Sequence, residues 1–447
     1  MNYEHIKTGL LIGLVGLSMI LTWQLWTFQP NIELLDDTAR YVPNEAMSEE
    51  RKLTEIIRPE QIVIHQQGRH TMIPTNDERF DQLYQKLLKT NFVEGDMLAV
   101  GPFPKQVQNG GIELIFPTSI PVDIFLSLFQ VDQEEFNLPL STINRLYMYV
   151  DAQDEQVHMQ MLSSKDTQVV EVETNFSVGD FERNFLRPFN EYVEVFQANN
   201  RSSTRELSEH IYIPLGPVTA ERLSFTASPI PGTFFRQALF SDPDSVKHYR
   251  QSGSVESFTD GNRMINIRNN GLFMEYRNPI FSGTHERSSK HVVQSSYEFI
   301  NGHGGWTDKY ILSDWNSNDL RDEAEYRLQV NDLPVLSFQG QDHMVLQTSR
   351  SGNQTETYFR PLFDLDNQPI DAREEVKLPS GEDVLNRLKQ LEFFHIERLQ
   401  KVAVGYEMIM PNPSFVTVEP HWFFLYDNSW RKVTFDSNEG GGSNGLE

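Results

Sequence analysis

Residues able to do chemistry are plentiful in this chain, yet their spacing assembles no recognised site. Twelve histidines are scattered along it, and none stands with a carboxylate in the HExxH spacing that would put two imidazoles on one helix face around zinc. His303, in Asn301-Gly302-His303-Gly304-Gly305, has the most suggestive neighbours. A loop histidine among glycines reads first as a turn residue, so no metal site is assigned. There are no cysteines, which removes disulfides, thiolate metal sites and cysteine nucleophiles together.

Three literal motif matches fail on context. Gly441-Gly442-Ser443-Asn444-Gly445 satisfies GxSxG, but a nucleophile elbow needs a strand before it and a helix after it, and here a glycine-rich tail surrounds it. Ser429-Trp430-Arg431-Lys432 satisfies SxxK and Lys7-Thr8-Gly9 satisfies KTG. The first reads as part of a hairpin and the second lies at the edge of an apolar run, with no SDN between them, so no acyl-transfer site is assembled. No P-loop and no GxGxxG after a strand occurs. Carboxylate pairs such as Asp36-Asp37 and Glu374-Glu375 follow from an acidic composition, and Trp422-Phe423-Phe424 and Phe393-Phe394 read as sheet core before they read as a sugar platform. The expectation is therefore no catalytic residue, no cofactor and no metal.

The elements that would position any site start with residues 9–28, twenty residues without an ionisable side chain. As a helix they would be about 30 Å long, the thickness of a bilayer's hydrocarbon core, with Trp23, Trp26 and Phe28 near the outer interface. Lys7 precedes the run while Glu33, Asp36 and Asp37 follow it, so the tail 1–8 is placed in the cytoplasm and the remainder outside. A cleaved signal peptide is the competing reading; the run is long for one, and no small-x-small site follows it. Gly9, Gly13, Gly16, Ile20, Gln24 and Thr27 fall on one stripe at about 100° per residue, and Gly9 and Gly13 have GxxxG spacing, so this stripe is a candidate partner-helix contact. Its bland alternative is that glycine is common in membrane helices and Gln24 is near enough to the interface to be hydrated.

Lys plus Arg number 38 against 63 Asp plus Glu, a formal net charge of −25. Such a surface repels nucleic acid and anionic lipid. A long external chain without disulfides must be held by its cores, which suits a bacterial, especially Gram-positive, cell surface.

The fold class expected is α+β: a single N-terminal transmembrane helix followed by a multidomain extracytoplasmic region of antiparallel sheets with packed helices. A stalk spans 29–54 and an N-terminal α+β domain 55–205. In that domain Ile56–Gln67 and Arg69–Ile73 form a hairpin around Gly68, Asn76 caps a helix, Gly111–Phe116 is a strand, and a helix begins at Pro121. Strands 144–150, 157–162 and 167–173 form a meander, and a helix from Val178 to Phe196, interrupted near Pro188, closes the unit before the polar run Asn199–Thr204. A middle α+β domain, 206–283, carries strands 210–214 and 220–226, a helical region 234–250, and strands 254–258, 264–268 and 272–276. A C-terminal helix-plus-meander domain, 284–435, has a helix 288–300 followed by strands 309–314, 324–330, 335–338 and 344–348. A second helix, capped by Ser380, is followed by strands 396–410, 415–418 and 422–426. The repeated order suggests an internal duplication, and 436–447 is a disordered tail.

Several stretches resemble one family. Leu21-Thr22-Trp23-Gln24-Leu25-Trp26-Thr27-Phe28-Gln29-Pro30, Phe240-Ser241-Asp242-Pro243, Tyr276-Arg277-Asn278-Pro279, Tyr326-Arg327-Leu328 with Leu333-Pro334-Val335, and Glu419-Pro420-His421-Trp422 are, in that order, similar to the YycH (WalH) regulatory proteins of Gram-positive bacteria. The resemblance implies a non-enzymatic, membrane-anchored protein that, with the related YycI, associates with the sensor histidine kinase WalK (YycG). It would modulate the WalK/WalR system governing cell-wall metabolism, partly through its transmembrane helix. No catalytic residue is carried over. The last part, with Val404-Gly405-Tyr406, also resembles PepSY-type modules, some of which inhibit proteases. An extracytoplasmic ligand-binding or protease-inhibitory module is therefore the alternative, and a wall-modifying enzyme a more distant one.

Overall fold

Turns rich in Asn, Asp and Gly cut this chain into short strands, because those residues tolerate the left-handed backbone that tight hairpins need. Gln67 and Gly68, Asn331 and Asp332, and Asp427 and Asn428 are two-residue turns with positive φ at both positions. In the computed structural model the described residues are 3–27, 33–34, 50–92, 98–99, 102–129, 138–200, 209–251, 255–279, 289–318, 321–370 and 373–435. The 205/206 and 283/284 divisions, the run 201–204, most of the 29–54 stalk and the 436–447 tail with its GxSxG lie outside them.

Helix α1 spans Tyr3–Thr27. A two-residue strand β1 (Glu33–Leu34) and the short helix α2 (Leu53–Ile56) precede the hairpin of β2 (Gln61–Gln66) and β3 (Arg69–Ile73). Helix α3 (Glu78–Leu87), strand β4 (Leu98–Ala99), β5 (Gly111–Pro121) and α4 (Val122–Leu128) lead to the meander β6 (Thr142–Val150), β7 (Val157–Ser163) and β8 (Gln168–Thr174). Helix α5 (Val178–Asp180) continues as π and 3-10 turns to Glu191, and β9 (Val193–Asn200) and β10 (His210–Pro214) follow. Next come β11 (Pro217–Pro229), α6 (Gly232–Leu239), β12 (Lys247–Gln251), β13 (Val255–Thr259), β14 (Met264–Arg268), β15 (Phe273–Arg277) and α7 (Val292–Gly302). Strands β16 (Tyr310–Ser317), β17 (Asp322–Val330), β18 (Leu333–Phe338), β19 (Val345–Ser351), β20 (Gln354–Pro361), β21 (Phe363–Leu365) and β22 (Glu374–Ser380) precede α8 (Gly381–Lys389). The chain then runs through β23 (Leu399–Asn412), β24 (Phe415–Tyr426) and β25 (Ser429–Lys432).

These elements make a mixed α+β, sheet-rich fold. One nine-stranded sheet has the order β10-β9-β3-β2-β5-β6-β7-β8-β4; a 16-stranded sheet contains the strands from β11 onward together with β1. The pairing of β18 with β23 is parallel, an exception in an otherwise antiparallel neighbourhood. Alternation decides which face is buried. Ile62 and Ile64, Ile112 and Leu114, Leu146 and Met148, Met159 and Met161 project into one apolar cluster, joined by Phe80, Leu83 and Leu87 of α3 and by Val335, Met408 and Val416 of the larger sheet. A second cluster places Ile211 and Ile213 of β10 against Val384 and Leu388 of α8 and Trp422 and Phe424 of β24. Helix α8 is started by Ser380, whose hydroxyl caps the Asp383 amide while the Asp383 carboxylate returns to the Ser380 amide.

Several expectations change. The helix expected from Val178 to Phe196 ends at Glu191, because Pro188 turns it into a 3-10 end and Val193 to Phe196 enter β9. The helical region 234–250 stops at Leu239, and Lys247 to Arg250 are strand. Asp77, not Asn76, caps α3, its carboxylate accepting the Arg79 amide. Segments 415–418 and 422–426 are one strand through Pro420. Phe393 is exposed beside Arg431 and Tyr426, outside any strand, so it is not sheet core. Strands β20, β21 and β22 had no counterpart in the sequence reading.

Candidate functional site

The sequence-assigned stripe lies on α1. Gly9, Gly13 and Gly16 sit on its open surface, where an added Cβ would meet nothing within 4 Å, and Ile20 is exposed. Of the side chains of Gln24 and Thr27 nothing is described, and Phe28 lies outside the described residues. Among the described residues no helix is long and apolar enough to cross a membrane; the segment 9–28, expected from the sequence to span one, extends beyond the stretch of side chains described, which ends at Trp23.

The other motif residues fall into structural roles. His303 caps the C-terminus of α7, donates from Nδ1 to the Phe299 carbonyl at 2.8 Å and stacks on the Phe299 ring. Ser429 to Lys432 form β25, while Lys7, Thr8 and Gly9 lie in α1.

Chemistry concentrates on the second face of the nine-stranded sheet. Strands that send Ile, Leu and Met inward send His65, Glu113, Arg145, Tyr147, Tyr149, His158, Gln160 and Glu171 the other way. The segment 102–110 covers this face: the Lys105 amide donates to Gln160 Oε1 at 3.0 Å, and Phe103 packs with Tyr147 and Tyr149. Its end must be glycine, since a Cβ on Gly110, which has φ +84°, would stand 2.2 Å from the His65 carbonyl oxygen. A cavity of about 300 Å³ remains, lined among others by His65, His70, Lys105, Tyr147, Gln197 and His210.

Below the cavity the side chains form a continuous hydrogen-bonded chain. Glu113 is fully buried. Its Oε1 accepts from Arg145 at 2.6 Å, and its Oε2 accepts from the Tyr212 hydroxyl at 3.0 Å and faces His65 Nε2 at 3.0 Å. Burial pushes the Glu113 carboxyl up, but the Arg145 charge and the His65 contact outweigh it and bring it down to about 2. An ionised carboxylate only accepts, so His65 Nε2 carries a hydrogen. In the neutral tautomer His65 Nδ1 is an acceptor and takes the Nδ1 hydrogen of His70 at 2.8 Å, and His70 Nε2 takes one from the Gln197 amide at 3.1 Å. With both imidazoles neutral every one of these contacts is satisfied. Burial, then the neighbouring His65 and His210, bring His70 down to about 4, with Glu113 pulling weakly the other way.

A second polar group lies further along the same face. Lys105 donates to the Tyr149 hydroxyl at 2.5 Å, and that hydroxyl donates to Glu171 Oε1 at 2.6 Å. Asp154, His158 and Glu173 have donor atoms within 4.8 Å of one another, a spacing able to surround a cation, although His158 Nε2 already meets Asp154 at 2.7 Å. Chemically, the Glu113 carboxylate is too strongly paired, and His70 too weakly basic, for general-base work near neutral pH. The chain instead fixes where protons sit.

The sequence reading missed this group, although signals existed. A two-residue turn at Gln67-Gly68 pairs His65 with His70 across the hairpin. Glu113 and Arg145 are lone charges in otherwise apolar strands, and Ile112 to Leu114 pair with Leu146 to Met148. What sequence alone could not supply is that β9 and β10 close over the pair.

Comparison with known proteins follows the same fold. The family model described as the YycH protein, N-terminal domain, matches residues 4–184, and that described as the YycH protein, C-terminal domain, matches residues 208–440. The chain is 23% identical to the "Two-component system WalR/WalK regulatory protein YycH" of Bacillus subtilis, over 100% of both chains. Its fold resembles the crystal structure of YycH from Bacillus subtilis with a TM-score of 0.70 at 16% identity, covering 86% of this chain and 98% of that chain. A protein from Eubacterium rectale gives a TM-score of 0.32 over 52% of this chain, too low to carry any argument.

Proposed function

This chain belongs to the YycH family, and from that premise we propose that it is a non-enzymatic, membrane-anchored regulator of a WalR/WalK-type two-component system. In this reading α1 with the residues after it crosses the cell membrane once, the N-terminus is cytoplasmic, and the sheets are extracytoplasmic. The partners are the sensor kinase WalK (YycG) and YycI, and the process controlled is cell-wall metabolism.

The observation that carries the reading is the character of α1. Leu10, Leu11, Ile12, Leu14, Leu17, Met19, Ile20, Leu21 and Trp23 are all more than half exposed, on every side of the helix. A helix apolar all round has no stable place in water and needs lipid or other helices against it. The stripe Gly9, Gly13, Gly16, Ile20, Gln24 and Thr27 would let a kinase or partner helix approach closely, with Gln24 hydrogen bonding across the contact. Docking that favours one signalling state shifts the kinase by its differential affinity, and a coupling of about 1–3 kcal/mol shifts that equilibrium about 5- to 150-fold.

Replacing Gly13 and Gly16 with leucine in the full chain, in membranes containing the kinase, tests this. Cross-linking to the kinase helix and kinase output should both fall; if neither changes, α1 is only an anchor. The cavity above His70 favours one second reading, an extracytoplasmic ligand-binding or protease-inhibitory module, in which the external region would bind its target without any kinase.

A further inference from the structure

Strand β10 is shared between the two sheets' clusters. Ile211 and Ile213 pack toward α8 and β24, while Tyr212, on the opposite side, packs with Val63, Ile115 and Val195. To that apolar contact the seat adds a polar set: the Tyr212 hydroxyl on Glu113, Arg145 donating to the His210 carbonyl at 2.9 Å, and the His65, His70 and His210 rings around Tyr212 at 5.6 to 6.0 Å. Strand β9, which carries β10, is joined to β3 through just three residue pairs, His70 with Val195, Thr71 with Glu194 and Met72 with Val193. A short seam is therefore closed by the Gln197-His70-His65-Glu113 chain.

We propose that this chain is a proton-operated clasp: a proton entering from the cavity at His70 Nε2 releases the β9–β10 ribbon from β3. The hydrogen bonds give the reason. His70 Nε2 accepts from Gln197, so a proton there sets two donors face to face. Glu113, the nearby anion, already has its oxygens engaged by Arg145, Tyr212 and His65. The other charged or titratable groups around His70 are Arg145 and Tyr147 on β6, His210 and Tyr212 on β10, Lys105 in the covering segment, Arg69 on its own strand and Glu194 opposite on β9. Glu194 is exposed and paired with Arg69, so an imidazolium in the seat is poorly compensated, and separating β9 from β3 hydrates it.

The sign follows from linkage. His70 holds its proton more weakly when seated, near 4, than at its ordinary 6.5. The open form therefore binds more protons between those values, and closure is lost as pH falls from about 6.5 toward 4.

Hydrogen exchange of the full chain in lipid nanodiscs tests the clasp, with protection corrected for intrinsic exchange at each pH. Between pH 7.5 and 4.5, peptides covering 193–198 and 210–214 should lose protection by at least about tenfold relative to β6 and β7 of the same sheet. The variant His70→Gln, which cannot take up the proton, should hold those peptides within about twofold. An unchanged wild type, or the same loss in His70→Gln, overturns the proposal. Should that variant fail to fold, 13Cε1-labelled histidine spectra of the wild type decide it: one imidazole titrating below pH 5 together with the loss of protection is expected, and all histidines titrating near 6.5 contradicts it.

Discussion

Two sites, one around Glu113 and one around Arg360, bury charge in opposite ways. On the nine-stranded sheet Glu113 has no exposed surface and meets Arg145 directly, so charge answers charge and the carboxyl stays ionised. In the 16-stranded sheet Arg360 is equally buried, but it is met by carbonyl and hydroxyl oxygens, donating to Gly305 at 3.1 Å and the Tyr358 hydroxyl at 3.0 Å, with the Phe235 ring 5.0 Å away. Near it, burial and the Asp364 charge push Asp308 up to about 7, against a weaker pull from the Arg360 charge. The lesson is that burial alone does not set a carboxyl's state; the nearest countercharge does. The two regions should therefore answer pH with opposite signs.

The largest expected effect is Arg145→Met. It strands an ionised Glu113 in a dry site and should cost about 3–5 kcal/mol in urea unfolding of the detergent-solubilised chain. Adding Glu113→Gln should restore part of that loss; a double variant as unstable as the sum of both singles would refute the pairing. Intermediate in size is Asp308→Asn. Asp308 binds its proton more tightly folded than unfolded, so its favourable contribution is present below about pH 3.8 and fades as pH rises through 7. Relative to wild type, Asp308→Asn should gain roughly 1–3 kcal/mol at pH 8 over its value at pH 4. Glu113 behaves in the reverse sense, its contribution present above about 4.5 and lost as pH falls toward 2. Equal pH slopes for wild type and Asp308→Asn would remove the contrast. Smallest is Lys290→Ala, which breaks an exposed pair with Glu298 and should change stability by no more than about 0.5 kcal/mol.

The meander β6–β7–β8 and the hairpin β2–β3 were legible because alternation and the turns Gln67-Gly68 and Asp151–Asp154 mark them locally. Strand β9 was not, since Val193 to Phe196 follow a helix without a turn residue and become a strand through pairing with β3 and β10. The same long-range closure hid the candidate site. His65 and His70 can be paired from the hairpin register, but Tyr212 is 99 residues from the Glu113 it holds. The stripe on α1 was visible in the sequence because helical periodicity is local.

The central claim is that residues 9–28 are a contact surface as well as an anchor. A pull-down of the kinase from membranes, comparing the native chain with one whose segment 9–28 is replaced by an unrelated apolar helix of equal length, tests it most directly. The account predicts that the kinase is captured by the native chain and lost on the swap. Equal capture by both would contradict it and move the contact to the external sheets.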